Sequence, residues 1–158
     1  MSSDEELEQL SFTVSGFISR AVTQVYEAVA DPAQLSSYFT TGGAQGRLEA
    51  GTTVSWDFHD FPGAFPVKVV DTEFPRRIVV QWGSEHATAE DQMTTVTFEF
   101  TSVDDSTRTK VEITESSWQA NPAGAKAAFG NCMGWTGMLA AMKAWLEHGI
   151  NLREGFYK

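Results

Sequence analysis

Residues 123–148 form the feature that most restricts what this chain can fold into. Trp135, Leu139, Met142 and Leu146 recur at helical spacing on one continuous face, and Phe129, Cys132 and Met133 extend it toward the N-terminal end. Asn121-Pro122 reads as the helix start and Gly149 as its stop. A helix this long has one apolar stripe to bury, and residues 44–117 ahead of it offer only strands and turns. The expected fold is therefore α+β, with a curved antiparallel sheet wrapped around a long C-terminal helix.

The strands show as period-two alternation. Leu10, Phe12, Val14, Gly16 and Ile18 alternate first, with Phe17 breaking the pattern on the far face. Residues 21–30 then switch to helical spacing through Val22, Val25, Tyr26 and Val29, and Asp31-Pro32 caps and starts a second short helix running to about Phe39. Beyond Gly42-Gly43 the chain reads as strands joined by tight turns. A short strand is expected at 46–49, then 53–58 with Val54, Trp56 and Phe58 on one face. A turn at Phe61-Pro62-Gly63 leads into a strand at 65–73, then 77–82 with Ile78, Val80 and Trp82 inward. Residues 83–91 read as a polar loop. Strands follow at 93–101, through Val96, Phe98 and Phe100, and at 108–116, through Val111 and Ile113, joined by the Asp104-Asp105-Ser106 turn. Residues 1–9 are expected to be a flexible tail and 10–158 a single domain.

Composition narrows the partners. The net charge is -10, which repels polyphosphate, so nucleic acid is not an expected partner. No segment approaches the roughly 20 apolar residues of a membrane span, so no membrane insertion is expected. The single cysteine, Cys132, excludes an intrachain disulfide and fits a cytoplasmic setting. The N-terminus lacks the basic start and apolar run of a secretory signal. An acidic surface leaves room for a basic protein partner.

Two features hint at a cavity. The chain has 5 Trp and 11 Phe, more bulk than a small two-layer core needs. Gly130, Gly134 and Gly137 lie inside the long helix, each costing about 0.8–1 kcal/mol relative to alanine. Either backbone packs closely against them or space is left for a ligand beside Phe129 and Met133.

The order and spacing of several segments resemble a known superfamily. They are Asp31-Pro32-Ala33-Gln34-Leu35 with Tyr38-Phe39, Gly51-Thr52-Thr53-Val54-Ser55-Trp56, Phe74-Pro75-Arg76-Arg77-Ile78-Val79-Val80-Gln81-Trp82, and Gly134-Trp135 followed by Leu139 and Leu146. Together, over residues 10–150, the chain resembles the START-like helix-grip (SRPBCC) superfamily, in the branch of homologues of the activator of the heat-shock-protein ATPase. The resemblance implies a deep cavity between sheet and long helix. Members bind lipids, sterols, polyketides or other apolar molecules, and some are cyclases or hydrolases. The branch name does not by itself imply co-chaperone activity here.

The chain's own residues give few catalytic candidates. Asp57 and His59 share a strand face, but Trp56 and Phe58 occupy the inward one, so both should meet solvent; His86 has no placement from spacing. Glu115 continues the inward face of Val111 and Ile113. It could act as a general acid or base at the mouth of an apolar cavity, sit at the rim in water, or pair with Arg76, Arg77 or Arg47. Asn131 either meets a ligand or faces solvent. Cys132 reads as a small buried apolar residue. No nucleophile elbow, phosphate loop, zinc spacing or dinucleotide fingerprint is found, so no catalytic residue, metal or cofactor is expected.

The expected function is binding of an apolar or aromatic small molecule, such as a lipid, sterol or polyketide-like compound. The expected lining is Tyr38, Phe39, Trp56, Phe58, Phe65, Trp82, Phe98, Glu115, Trp118, Phe129 and Met133. The alternatives are a cyclase- or hydrolase-type enzyme using the same cavity, or a chaperone-interacting module.

Overall fold

A computed structural model describes residues 9–83 and 93–157. The expected loop at 83–91, with His86, lies almost wholly outside the described residues. In chain order the elements are β1 (Gln9–Ile18), α1 (Val22–Ala30), α2 (Pro32–Tyr38), β2 (Gly43–Gln45), β3 (Thr53–Phe58), β4 (Phe61–Glu73), β5 (Arg77–Trp82), β6 (Thr94–Val103), β7 (Arg108–Gln119) and α3 (Pro122–His148). The seven strands form one antiparallel sheet in the order β1-β7-β6-β5-β4-β3-β2. The two short helices carry the chain from one sheet edge to the other. The strands then return by a meander until β7 meets β1.

Two strand expectations need correction. The short strand lies at Gly43–Gln45 rather than at 46–49. Gly46 has φ +99, which takes the chain out of the ladder there. The turn expected at Phe61-Pro62-Gly63 is already strand, because β4 begins at Phe61. Elsewhere the alternation reads through directly. On β7, Thr109, Val111, Ile113 and Glu115 are buried while their neighbours are partly exposed. The β6–β7 turn holds Asp104, Asp105 and Ser106 at positive φ, which aspartate tolerates better than most residues.

The ends of α3 follow from local chemistry. Asn121 accepts a hydrogen bond from Gly124 N–H at 2.7 Å, and Pro122 occupies the first turn. Gly149 adopts φ 66, and the amides of Gly149 and Ile150 return to Trp145 and Ala144 carbonyls, a Schellman-type stop. Between these ends the helix is anchored unevenly. Trp135, Met138, Leu139, Ala141 and Met142 are buried, but ahead of Trp135 only Ala128 is. Phe129 and Met133 are not a continuation of the apolar stripe, as the sequence suggests. They are 73% and 61% exposed. The C-terminal half of α3 therefore grips the sheet near β1 and β7, while its N-terminal half stands off from it.

One side chain ties the helix end to the start of the sheet-to-helix connection. Glu147 accepts from Ser19 N–H at 2.9 Å and from the Lys143 ammonium, and Arg20 reaches the Glu147 carbonyl. Burial pushes the Glu147 carboxyl up, but the Lys143 and Ser19 hydrogen bonds outweigh it and the net shift is downward. A depressed carboxyl adds stability above its unfolded-state value, and that stability disappears as pH falls through the folded value. Glu147→Gln is predicted to cost about 1–2 kcal/mol at neutral pH. The gap to the parent should close below about pH 4, the ordinary glutamate range. Urea unfolding across pH measures it, and a gap independent of pH would contradict the assignment.

Candidate functional site

The inner face of β7 carries a carboxylate into the apolar interior. Glu115 is 0% exposed. Such a group is costly to bury unless its lone pairs are filled, and here they are. Trp82 Nε1–H on β5 donates to Oε2 at 2.9 Å, and the Thr94 hydroxyl on β6 donates to the same oxygen. Trp135 Nε1–H on α3 donates to Oε1 at 2.7 Å, and the Asn131 amide reaches both oxygens at 3.1 and 3.3 Å. The rim position and the arginine pairing considered from the sequence are both overturned. Arg47 pairs with Glu27, Arg77 with Asp71 and Arg76 with Glu73. Asn131, which the sequence left between ligand and solvent, is a donor in this cluster.

Beside the cluster lies a cavity of about 410 Å³, lined by Phe39, Phe58, Trp82, Gly130, Asn131, Met133, Gly134, Trp135 and Tyr157. It occupies the gap left where the N-terminal half of α3 stands off the sheet. The rings along its wall meet at angles: Phe39 and Trp135 at 5.5 Å and 34°, Trp82 and Trp135 at 5.3 Å and 42°. Of the expected lining residues, the structure gathers Phe39, Phe58, Trp82 and Met133 here. Phe65 packs behind them, between the Phe58 and Trp82 rings. Tyr38, Trp56 and Phe98 belong to the solid core. Tyr38 donates its hydroxyl to the Ala28 carbonyl at 2.9 Å, and burial pushes that hydroxyl's pKa well up. Phe129 projects into solvent because it falls on the outer side of α3. Trp118 stacks on Phe12 at the β1–β7 end and does not reach the cavity.

The family model of Activator of Hsp90 ATPase homolog 1-like proteins matches residues 20–147. The chain belongs to this family. No curated protein gives a significant match. Several solved structures share the fold. SSP2350 from Staphylococcus saprophyticus is 22% identical with a TM-score of 0.74, over 91% of this chain and 96% of that one. Aha1 from Colwellia psychrerythraea, a dimer in solution, is 21% identical with a TM-score of 0.72, over 89% and 98%. DynU16, from the dynemicin biosynthetic locus, is 21% identical with a TM-score of 0.69, over 90% of this chain and 48% of its own. The helix-grip architecture expected from the sequence is thus the observed one.

In this member of the Hsp90 ATPase activator homologue family, one cavity wall comes from a segment that pattern reading passed over. After Gly149 the chain turns back as a strap. Arg153 donates to both oxygens of Asp60, at 2.7 and 2.9 Å, and the two side chains are only 7% and 8% exposed. The guanidinium also lies over the Phe58 and Tyr157 rings, at 5.5 and 4.8 Å from their centroids. Tyr157 lies against Gly137, where an added Cβ would meet its hydroxyl at 2.4 Å, so close packing explains this glycine. Gly130 and Gly134 differ: a Cβ on either meets no atom of the described residues within 4 Å, and both line the cavity.

Among the described residues no group of three or more His, Cys, Asp or Glu side chains is arranged to hold a metal ion. Asp57 accepts from Gly63 N–H, and the mostly exposed His59 lies 3.6 Å from Glu154. Cys132 is a partly buried free thiol. No described helix is long and apolar enough to cross a membrane.

The strap gives a direct test. Asp60→Ala leaves the shielded Arg153 guanidinium with no carboxylate opposite it, and is predicted to destabilise the protein by roughly 3 kcal/mol. Limited proteolysis should then cut the chain after residue 149 much faster than in the parent. An unchanged melting temperature with unchanged cleavage would show that the strap is not held by this pair.

Proposed function

We propose that the protein binds an apolar or aromatic small molecule in the cavity between the sheet and the N-terminal half of α3. The observation that carries this reading is the pair Gly130 and Gly134. Alanine at either position would gain about 0.8–1 kcal/mol of helix stability, and no described residue fills the space beside either. Helix-destabilising residues that face a void, not a neighbour, are what a site kept clear for a ligand would have. The volume of about 410 Å³ lies within the usual range for small-molecule sites, and the lining is mostly aromatic with one amide. Among the lipid, sterol and polyketide-like alternatives, the likeness to a protein of the dynemicin biosynthetic locus adds weight to the last.

A cyclase- or hydrolase-type reaction in the same cavity is the second reading. Tyr157 lines the cavity, and Glu115 stands behind it, hydrogen-bonded to the lining residues Trp82, Asn131 and Trp135. Its two oxygens already accept from four side chains, and a general base must present a lone pair to the reacting proton. That arrangement favours binding over catalysis. An interaction with a chaperone through the acidic surface rests on net charge alone and ranks third.

Amide and indole NMR of the labelled protein, titrated with lipids, sterols and flat aromatic compounds, tests the binding reading. Saturable shifts are expected at Phe39, Trp82, residues 130–135 and Tyr157. Gly134→Leu should fill the cavity and abolish them while leaving the fold as stable as the parent or slightly more so. Shifts that survive in Gly134→Leu, or a panel that produces none in the folded parent, would count against the cavity as the site.

A further inference from the structure

Resting on the cavity reading above and narrowing it, we propose that the ligand carries a positive charge of the quaternary ammonium type, seated in the ring-lined cavity against the partly exposed Trp82, with Trp135 packed behind it. The starting observation is that both indole N–H groups donate to the same carboxylate, Glu115. An indole that donates to an anionic acceptor is polarised, with electron density pushed back into its ring. Tryptophan already presents the most favourable ring face to a cation. The two rings pack on one another, tilted at 42° with centroids 5.3 Å apart, so the buried Trp135 backs Trp82, whose ring is the more exposed of the two. Phe39, Phe58 and Tyr157 add three more rings to the lining.

Charge points the same way. None of the described residues lining the cavity is cationic. Each hydrogen bond recorded for Glu115 comes from a neutral side chain, so the carboxylate behind the wall has not been given a counter-charge by its donors. In surroundings of low polarity that field reaches into the cavity with little screening. The chain as a whole, at -10, draws cations toward it. The rings at the strap side already hold a cation in this manner, since Arg153 lies over Phe58 and Tyr157 while Asp60 balances its charge.

The same details select the type of cation. A primary ammonium brings three N–H donors that each need an acceptor. The Glu115 oxygens are already occupied by Trp82, Thr94, Asn131 and Trp135, and most of the lining is ring and glycine. A quaternary ammonium has no N–H to satisfy and loses less hydration on entering. It also keeps the apolar bulk that the aromatic lining rewards.

An isosteric pair separates charge from shape. The full chain is titrated with meta-hydroxyphenyltrimethylammonium and with meta-tert-butylphenol, its neutral isostere, reading tryptophan fluorescence and the indole resonances of Trp82 and Trp135. The cation is expected to bind at least about fivefold more tightly and to shift both indole resonances. In Glu115→Gln that preference should shrink to less than about twofold. If that variant does not fold, Trp82→Phe serves, and the neutral compound should then lose less affinity than the cation. Equal or tighter binding of the neutral isostere by the parent would overturn the charge assignment while leaving the cavity reading intact. Failure of both compounds to bind would overturn the cavity reading, and this inference with it.

Discussion

A buried carboxylate that accepts hydrogen bonds from three elements besides its own is the constraint on which the rest of this site depends. Glu115 on β7 is bonded to Trp82 on β5, Thr94 on β6, and Asn131 and Trp135 on α3. Indole nitrogens only donate, so neither tryptophan can satisfy its N–H by rotating to another role. Burying a carboxylate costs several kcal/mol, and these donors offset it only while all of them keep their geometry. The network therefore helps fix where the helix lies over the sheet at the level of Trp135, beside the aromatic packing of Phe39, Trp82 and Phe98. It also sets the orientation of two rings that form the cavity wall.

The cavity follows from how α3 is divided. Its C-terminal half supplies the apolar grip through Met138, Leu139, Ala141 and Met142. Its N-terminal half has little apolar anchorage and carries two glycines that face open space. That half is held by its Asn121 cap, the Glu115 network and the strap. Stability is concentrated at one end of the helix and given up at the other, the pattern expected where binding needs an unfilled volume. The strap reinforces the open end from outside, since Arg153 joins Asp60, Phe58 and Tyr157 across it.

Most of the architecture was legible because it rests on periodicity. Alternation in β1, β3, β5, β6 and β7 and the Asp31 and Asn121 caps are local signals, and the elements form where those signals lie. The same alternation carried Glu115 to the inner face. Its partners were not legible, because Trp82, Asn131 and Trp135 are brought to it by tertiary packing and not by spacing. Phe129 and Met133 misled for a related reason: an apolar residue at helical spacing reads as core, yet Phe129 falls on the outer side of α3, Met133 borders the cavity, and both are mostly exposed. Arg153 and Asp60 are an ordinary charged pair in sequence. Their burial depends on the chain doubling back after Gly149, and no local pattern announces that.

The most direct test of the central claim is the hydrogen exchange and proton shift of the five tryptophan indole N–H groups, resolved by NMR in the unliganded protein. The Trp82 and Trp135 signals are predicted to lie downfield, shifted by the carboxylate. Both should exchange slowly, and both should move together when Glu115 is replaced by Gln. Rapid exchange at Trp82 and Trp135, or shifts indifferent to that replacement, would mean that Glu115 does not hold the cavity wall.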